Sequence, residues 1–231
     1  MEEFNKNQSE YYQSIGKGGI VKEGIFKRFR ELMPAVGEHY FREDNKHGKL
    51  LLVGESNYFN DYPENVSVFK NAEKWYTEDT DRLIPEEMKS SVCNWKGGYR
   101  TFDKVYNIMA EVLKENHIEY IPGLQEAAFY NYFLRPALNQ GRSKGFIPMN
   151  IDKEVSGVAL NGIIEKLEPN LVIFLSKKAY KAFINYCNQN VISYNNVCID
   201  FVSHPASIWW NRDGGRIGKN KLRKLLYEYW F

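Results

Sequence analysis

The 231-residue chain is predicted to fold as an α/β protein, a three-layer α/β/α sandwich around a central, mostly parallel sheet. Three observations lead there. Short uninterrupted apolar runs, Leu50-Leu51-Leu52-Val53 and Leu171-Val172-Ile173-Phe174-Leu175, suit strands covered on both faces. Longer stretches between such runs repeat their apolar residues every three or four positions, the period of a helix with one buried face. Strand alternating with helix then implies right-handed crossovers between parallel neighbours.

Residues 1 to about 20 are polar and end in Gly16-Lys17-Gly18-Gly19, which reads as an arm rather than core. Val21, Ile25, Phe26, Phe29 and Leu32 predict a helix over 20–33, stopped by Pro34. Lys49 to Gly54 is the first strand, with a chemistry-bearing loop expected to start at Gly54. Residues 57–100, with Pro63, Pro85 and Gly97-Gly98, read as loops with short helices. Thr101 to Glu115 regains helical spacing, and Ala127 to Leu134 is the second strand, leading into Arg135-Pro136. Asp152 to Leu167 is a helix, Leu171 to Leu175 the third strand, Val197 to Val202 the fourth, and Asn220 to Trp230 a closing helix. The chain is expected to be one domain, with an N-terminal arm and helix over 1–48 and the α/β core over 49–231.

Apolar residues at 43% and charged residues at 26% describe an ordinary globular composition that does not favour disorder. Cys93, Cys187 and Cys198 form no Cys-x-x-Cys pair and leave an odd count, against a disulfide framework or a zinc or iron–sulfur site. No metal or organic cofactor is expected. No apolar run approaches the roughly 20 residues of a membrane span, and Met1 to Glu10 is polar and acidic, so a cytoplasmic monomer without a membrane partner is expected. The formal net charge of +2 does not by itself imply nucleic acid, but the charge is uneven. Arg212, Arg216, Lys219, Lys221, Arg223 and Lys224 face Asp213 alone in one segment.

In open parallel sheets ligands sit beyond the carboxyl ends of the strands. Gly54-Glu55-Ser56, Asn131 and His204 all fall at or near such ends. Taken in order, Gly54-Glu55-Ser56-Asn57-Tyr58, then Phe129 to Pro136 around Asn131, then Glu168 to Leu175, then His204-Pro205-Ala206-Ser207, the chain resembles the uracil-DNA glycosylase superfamily. The likeness spans about Lys49 to Leu226, and its middle and C-terminal motifs are closest to the family's four-cysteine branch, whose cluster is absent here.

The resemblance implies DNA carrying uracil or a related damaged base as the partner. His204 matches the residue that hydrogen-bonds the uracil carbonyl as charge develops on the departing base. Asn131 matches the reader of the base edge, a role suited to an amide that both donates and accepts. Gly54 and Tyr58 fall at the pocket wall, and Phe69 follows at a spacing suited to stacking on the base. Ile208 matches an apolar wedge that fills the gap in the duplex, next to Ser207, while Arg216, Lys219 and Lys221 would contact phosphates. Where many members carry Asp or Asn to orient the attacking water, this chain has Ser56, a poor general base, with Glu55 and Asp61 as nearby carboxylates.

Two other readings stay open. Gly54-Glu55-Ser56 also looks like the Gly-Asp-Ser block of the SGNH hydrolases, in which Ser56 would be the nucleophile, Asn131 an oxyanion donor, Asp200 the orienting acid and His204 the base. A non-catalytic descendant that binds DNA or a base without cleaving it is the third class.

Overall fold

The computed structural model describes residues 26, 32–37, 39–59, 70–77, 100–119, 125–138, 147–212 and 217–231. Five strands, β1 (Ala35–Val36), β2 (Leu50–Phe59), β3 (Ala128–Leu138), β4 (Leu171–Phe174) and β5 (Cys198–Phe201), form one sheet in the order β1-β3-β2-β4-β5. β1 runs antiparallel to β3, and the other three pairings are parallel. The helices are α1 (Ala72–Thr77), α2 (Arg100–Glu115), α3 (Asn150–Leu167), α4 (Lys177–Gln189) and α5 (Lys219–Tyr229). The result is an α/β fold with a mixed, mostly parallel sheet.

The continuous apolar runs are explained by two cores, one on each face of the sheet. Leu51, Val53, Val172 and Phe174 meet Leu160, Ile163 and Leu167 of α3 and Phe183 of α4. Their alternating neighbours Leu50, Leu52, Leu171 and Ile173 meet Val105 and Met109 of α2 and Leu222 and Leu226 of α5. Each of these strand residues is wholly buried, and a buried aliphatic side chain contributes roughly 1.5–3 kcal/mol, so β2 and β4 anchor both cores.

The strands run further than their apolar runs. β2 continues through Gly54 to Phe59 rather than opening into a loop at Gly54, and β3 continues to Leu138. Its ladder with β2 slips after Ser56, which faces Phe133, because Tyr58 faces Ala137. Leu134, Arg135 and Pro136 therefore bulge opposite Asn57, a place where the missing Pro136 N–H costs no ladder bond. β1 and α4 are elements that the apolar pattern does not announce. α4 buries Ala179, Phe183 and Cys187, one residue per turn, and is started by Ser176, whose hydroxyl accepts from the Ala179 N–H at 3.3 Å. The helix expected over 20–33 lies almost wholly outside the described residues. Within it only Phe26 is seen in a helix, buried against Tyr130, while Leu32 and Met33 have already left the α-helical conformation.

Arg135, in the bulge, turns inward. Its guanidinium grips the Asp152 carboxylate at 2.9 and 2.6 Å, and that carboxylate also accepts from the Met149 N–H and the Tyr76 hydroxyl. At the amino end of the sheet, Glu126 accepts from His39 at 2.7 Å and His47 at 3.1 Å, and His47 lies against the Trp230 ring.

Asp152→Ala removes the carboxylate that grips the buried Arg135 guanidinium and is expected to cost about 3–5 kcal/mol by urea unfolding. Lys224→Ala, which removes an exposed pair with Glu228, is expected to cost under about 0.5 kcal/mol. Burial alone would raise the Glu126 carboxyl, but the hydrogen bonds from His47 and His39 outweigh it and set it below the usual 4.5. Its folded-state value being depressed, it adds stability above pH 4.5 that is lost as pH falls through the folded value. Glu126→Gln is expected to flatten that acid dependence in melting temperatures measured from pH 7 down to 3.

Candidate functional site

β4 is four residues long and stops at Phe174, whereas β2 beside it continues past Val53, the partner of Phe174. The early end of β4 leaves a notch at the carboxyl edge of the sheet. The chain turns there through Leu175 and Ser176 into α4, which brings the start of a helix against the continuing edge of β2. A cleft of about 470 Å³ opens at this place, lined by Glu55, Ser176, Phe201, His204, Ser207 and Trp209, with Lys177, Lys178, Ser203 and Ile217 completing the wall.

Glu55 is the carboxylate in it. Alternation along β2 aims Glu55 to the same side as Val53, and Ser176 and Lys178 meet it there. The Ser176 hydroxyl donates to Oε2 at 2.5 Å and the Lys178 ammonium to Oε1 at 2.7 Å. A negative charge at the first turn of α4 is favoured by the helix dipole and by the free N–H groups of that turn. Each carboxylate oxygen keeps a further acceptor site for a ligand or water.

His204 follows β5. Val202 still donates to the Phe174 carbonyl at 2.8 Å, after which Ser203 donates to the Ile217 carbonyl and the chain turns through Pro205. The turn is fixed twice. Ser207 N–H closes on the His204 carbonyl at 2.8 Å, and Lys104 of α2 donates to the Pro205 carbonyl at 2.6 Å. The Ala206 N–H donates to Nδ1 of His204 at 3.2 Å, so the neutral ring carries its proton on Nε2. Desolvation by the walls of the cleft depresses the pKa of His204 below 6.5 even though the residue keeps an exposed face; Glu55 opposes the effect and Lys104 adds to it. Above pH 6.5 the ring is therefore an uncharged N–H donor at the mouth of the cleft.

The other sequence-predicted residues fall elsewhere. Ser56 points to the opposite side of β2 from Glu55; it is buried and its hydroxyl has no hydrogen-bond partner among the described residues. It makes no hydrogen bond to His204, and Asp200 is held by the Lys221 ammonium at 2.6 Å and by the Phe201 N–H. The serine–histidine–aspartate arrangement of an ester hydrolase is thus not assembled.

Asn131 faces Gly54 across the ladder, and its Nδ2 donates to Oδ1 of Asn57 at 2.6 Å. A Cβ on Gly54 would stand 2.2 Å from the Asn131 Oδ1 and 2.9 Å from the Phe129 ring, so a residue without a side chain is required there. Asn131 does not line the cleft that Glu55 and His204 share. Tyr58 is described by its ladder position alone, opposite Ala137, and Phe69 and Arg216 lie outside the described residues.

The basic segment differs most from expectation. Lys221 is paired with Asp200, Arg223 with Glu111 and Glu115 of α2, and Lys224 with Glu228, so these charges are neutralised within the protein. Lys219 has no ion-pair partner among the described residues. Ile208 stands 72% exposed at the tip of the turn.

Ser176, Lys177, Lys178 and Lys104 are among the residues of this site that the sequence reading passed over. Ser176 carried a signal, a helix-capping residue just after an apolar run. Lys104 carried none, since it reaches the turn from a helix 101 residues earlier in the chain.

Among the described residues no group of three or more His, Cys, Asp or Glu side chains could hold a metal ion, and no helix is long and apolar enough to cross a membrane. Gly54→Ala is expected to break the Asn131–Asn57 contact and lower stability by roughly 1–3 kcal/mol. Ser56→Ala, which removes an unpartnered buried hydroxyl, is expected to be neutral or stabilising in the same thermal unfolding measurement. No protein-family model matches the chain, and no curated protein matches it in sequence.

Proposed function

We propose that this protein is a uracil-DNA-glycosylase-like three-layer α/β/α sandwich that takes a damaged base, uracil or a related one, from DNA into the cleft between Glu55 and His204. The observation that carries the reading is the state of His204: a neutral imidazole, its Nδ1 occupied by a backbone N–H, presenting Nε2–H beside a carboxylate at the carboxyl edge of a parallel sheet.

That pair suits cleavage of an N-glycosidic bond. As the bond breaks, its electrons stay with the base, whose carbonyl oxygen gains negative charge and accepts from Nε2–H. The sugar left behind carries positive charge, which the Glu55 carboxylate offsets while orienting a water for attack at the anomeric carbon; that carboxylate takes the proton the water gives up, and the released base anion is protonated from solvent. Glu55 takes over the part that Ser56, secluded on the other side of β2, does not serve. The same seclusion of Ser56 favours a second reading, a protein that binds the base without removing it.

Labelled oligonucleotides carrying uracil, hypoxanthine or xanthine, incubated with the protein and then with alkali, distinguish the two. Strand breaks at the damaged base are expected, reduced about 10²–10³-fold by His204→Ala and about 10²–10⁴-fold by Glu55→Gln. Because a proton on Nδ1 would displace the Ala206 N–H that orients the ring, the rate is expected to rise as pH climbs through the depressed His204 pKa and to level off above 6.5. Wild-type protein that binds these oligonucleotides and never yields breaks would leave the non-catalytic reading.

A further inference from the structure

The pairing of Lys221, Arg223 and Lys224 of α5 leaves open which groups hold the nucleic acid strand. Lys221, Arg223 and Lys224 each already face a carboxylate, and prying them loose to bind phosphate would forfeit those pairs. Two cations beside the cleft differ. Lys177 lines its wall, with its ammonium 5.7 Å from the centre of the Phe201 ring. Arg212 lays its guanidinium 4.1 Å over the Trp209 ring. Neither has a carboxylate partner among the described residues.

Trp209 lines the cleft and is 46% exposed, an unusual state for a large aromatic side chain. It is presented by a rigid turn. Its N–H donates to the Ser207 hydroxyl at 3.1 Å, and the next residue, Trp210, is buried and gives its carbonyl to the Lys219 N–H at 2.9 Å. Gly218 presses so closely on that carbonyl that a Cβ would come within 2.3 Å of it. The ring is therefore held out in advance, with a delocalised cation against it and an apolar tip, Ile208, beside it.

An aromatic platform with cations alongside is the chemistry that binds an unpaired polynucleotide strand: a base stacks on the ring and the adjacent phosphates meet the cations. A fully paired duplex offers no free base face to such a ring. Building on the glycosylase-like reading, we propose that Trp209, backed by Arg212, is the stacking platform for an unpaired base of the bound strand and that Arg212 and Lys177, not the paired cations Lys221, Arg223 and Lys224, contact its phosphates. The substrate class is then single-stranded DNA or a locally unpaired stretch.

The test is a salt titration of the full chain binding a labelled 15-nucleotide strand with one central uracil, free or annealed to its complement. The free strand is expected to bind more tightly. Trp209→Ala should weaken that binding about ten- to hundredfold, with Trp209→Phe keeping most of it. Arg212→Ala and Lys177→Ala should each lower the slope of log affinity against log salt by about 0.7, and Arg223→Ala should leave it unchanged. Unaltered thermal unfolding of each variant guards against loss of fold. The proposal is overturned if Trp209→Ala binds and excises uracil like wild type, if the duplex is preferred, or if the slope falls for Arg223→Ala instead. Wild-type protein that binds neither form would sink the glycosylase-like reading itself, and the platform with it.

Discussion

A strand that stops early governs the arrangement of the site. β4 ends at Phe174 while β2 goes on to Phe59, and this mismatch of lengths both opens the notch and brings the first turn of α4 to Glu55. Ser176 then serves two elements at once. Its hydroxyl oxygen accepts from the Ala179 N–H to start α4, and its hydroxyl proton goes to Glu55. Were β4 two residues longer, the cap and the carboxylate would be separated by the length of the extra strand, and the notch would be filled by ladder.

How much of this was legible in the sequence depends on how far each signal reaches along the chain. The strands of the buried sheet were legible because both faces are covered, which leaves runs such as Leu50 to Val53 without a polar break. Their ends were not, because the β2–β3 ladder resumes at Tyr58 and Ala137 beyond a bulge at Leu134, Arg135 and Pro136, through pairing that local pattern does not record. α4 was passed over because it buries one residue per turn among Lys, Tyr and Asn, a narrow stripe at a strict four-residue spacing. β1, two residues long, carries no period at all.

The site was legible in part for the same reason. His204 sits just past the end of β5, where the strand pattern places it, whereas Gly54-Glu55-Ser56 lies inside β2 and borders the notch only because β4 beside it stops at Phe174. Period-two alternation already separates Glu55 from Ser56 and puts them on opposite sides of β2. The run of cations from 212 to 224 shows the limit of sequence reading. Lys221, Arg223 and Lys224 within it are neutralised by Asp200, Glu228 and two carboxylates of α2 that lie 108 and 112 positions away in the chain. A charge run counts the donors in one segment and is blind to acceptors delivered by another.

Magnitudes distinguish holding the fold from holding the site. Arg135–Asp152 is buried at both ends, and breaking such a pair is among the costlier changes a fold can suffer. Lys178–Glu55 is 42% exposed on the lysine side, where an ion pair contributes about 0–1 kcal/mol after screening and side-chain ordering. So weak a pair, supplemented by a serine that α4 needs for its cap in any case, is poorly explained as a stability device. Its effect is directional: it fixes both oxygens of one carboxylate on the wall of the cleft that His204 shares, while the Ala206 N–H and the Lys104 clamp fix the imidazole on its side. Fixed geometry at little stability marks the residues that face the cleft, and that imbalance is the physical ground for looking for function there.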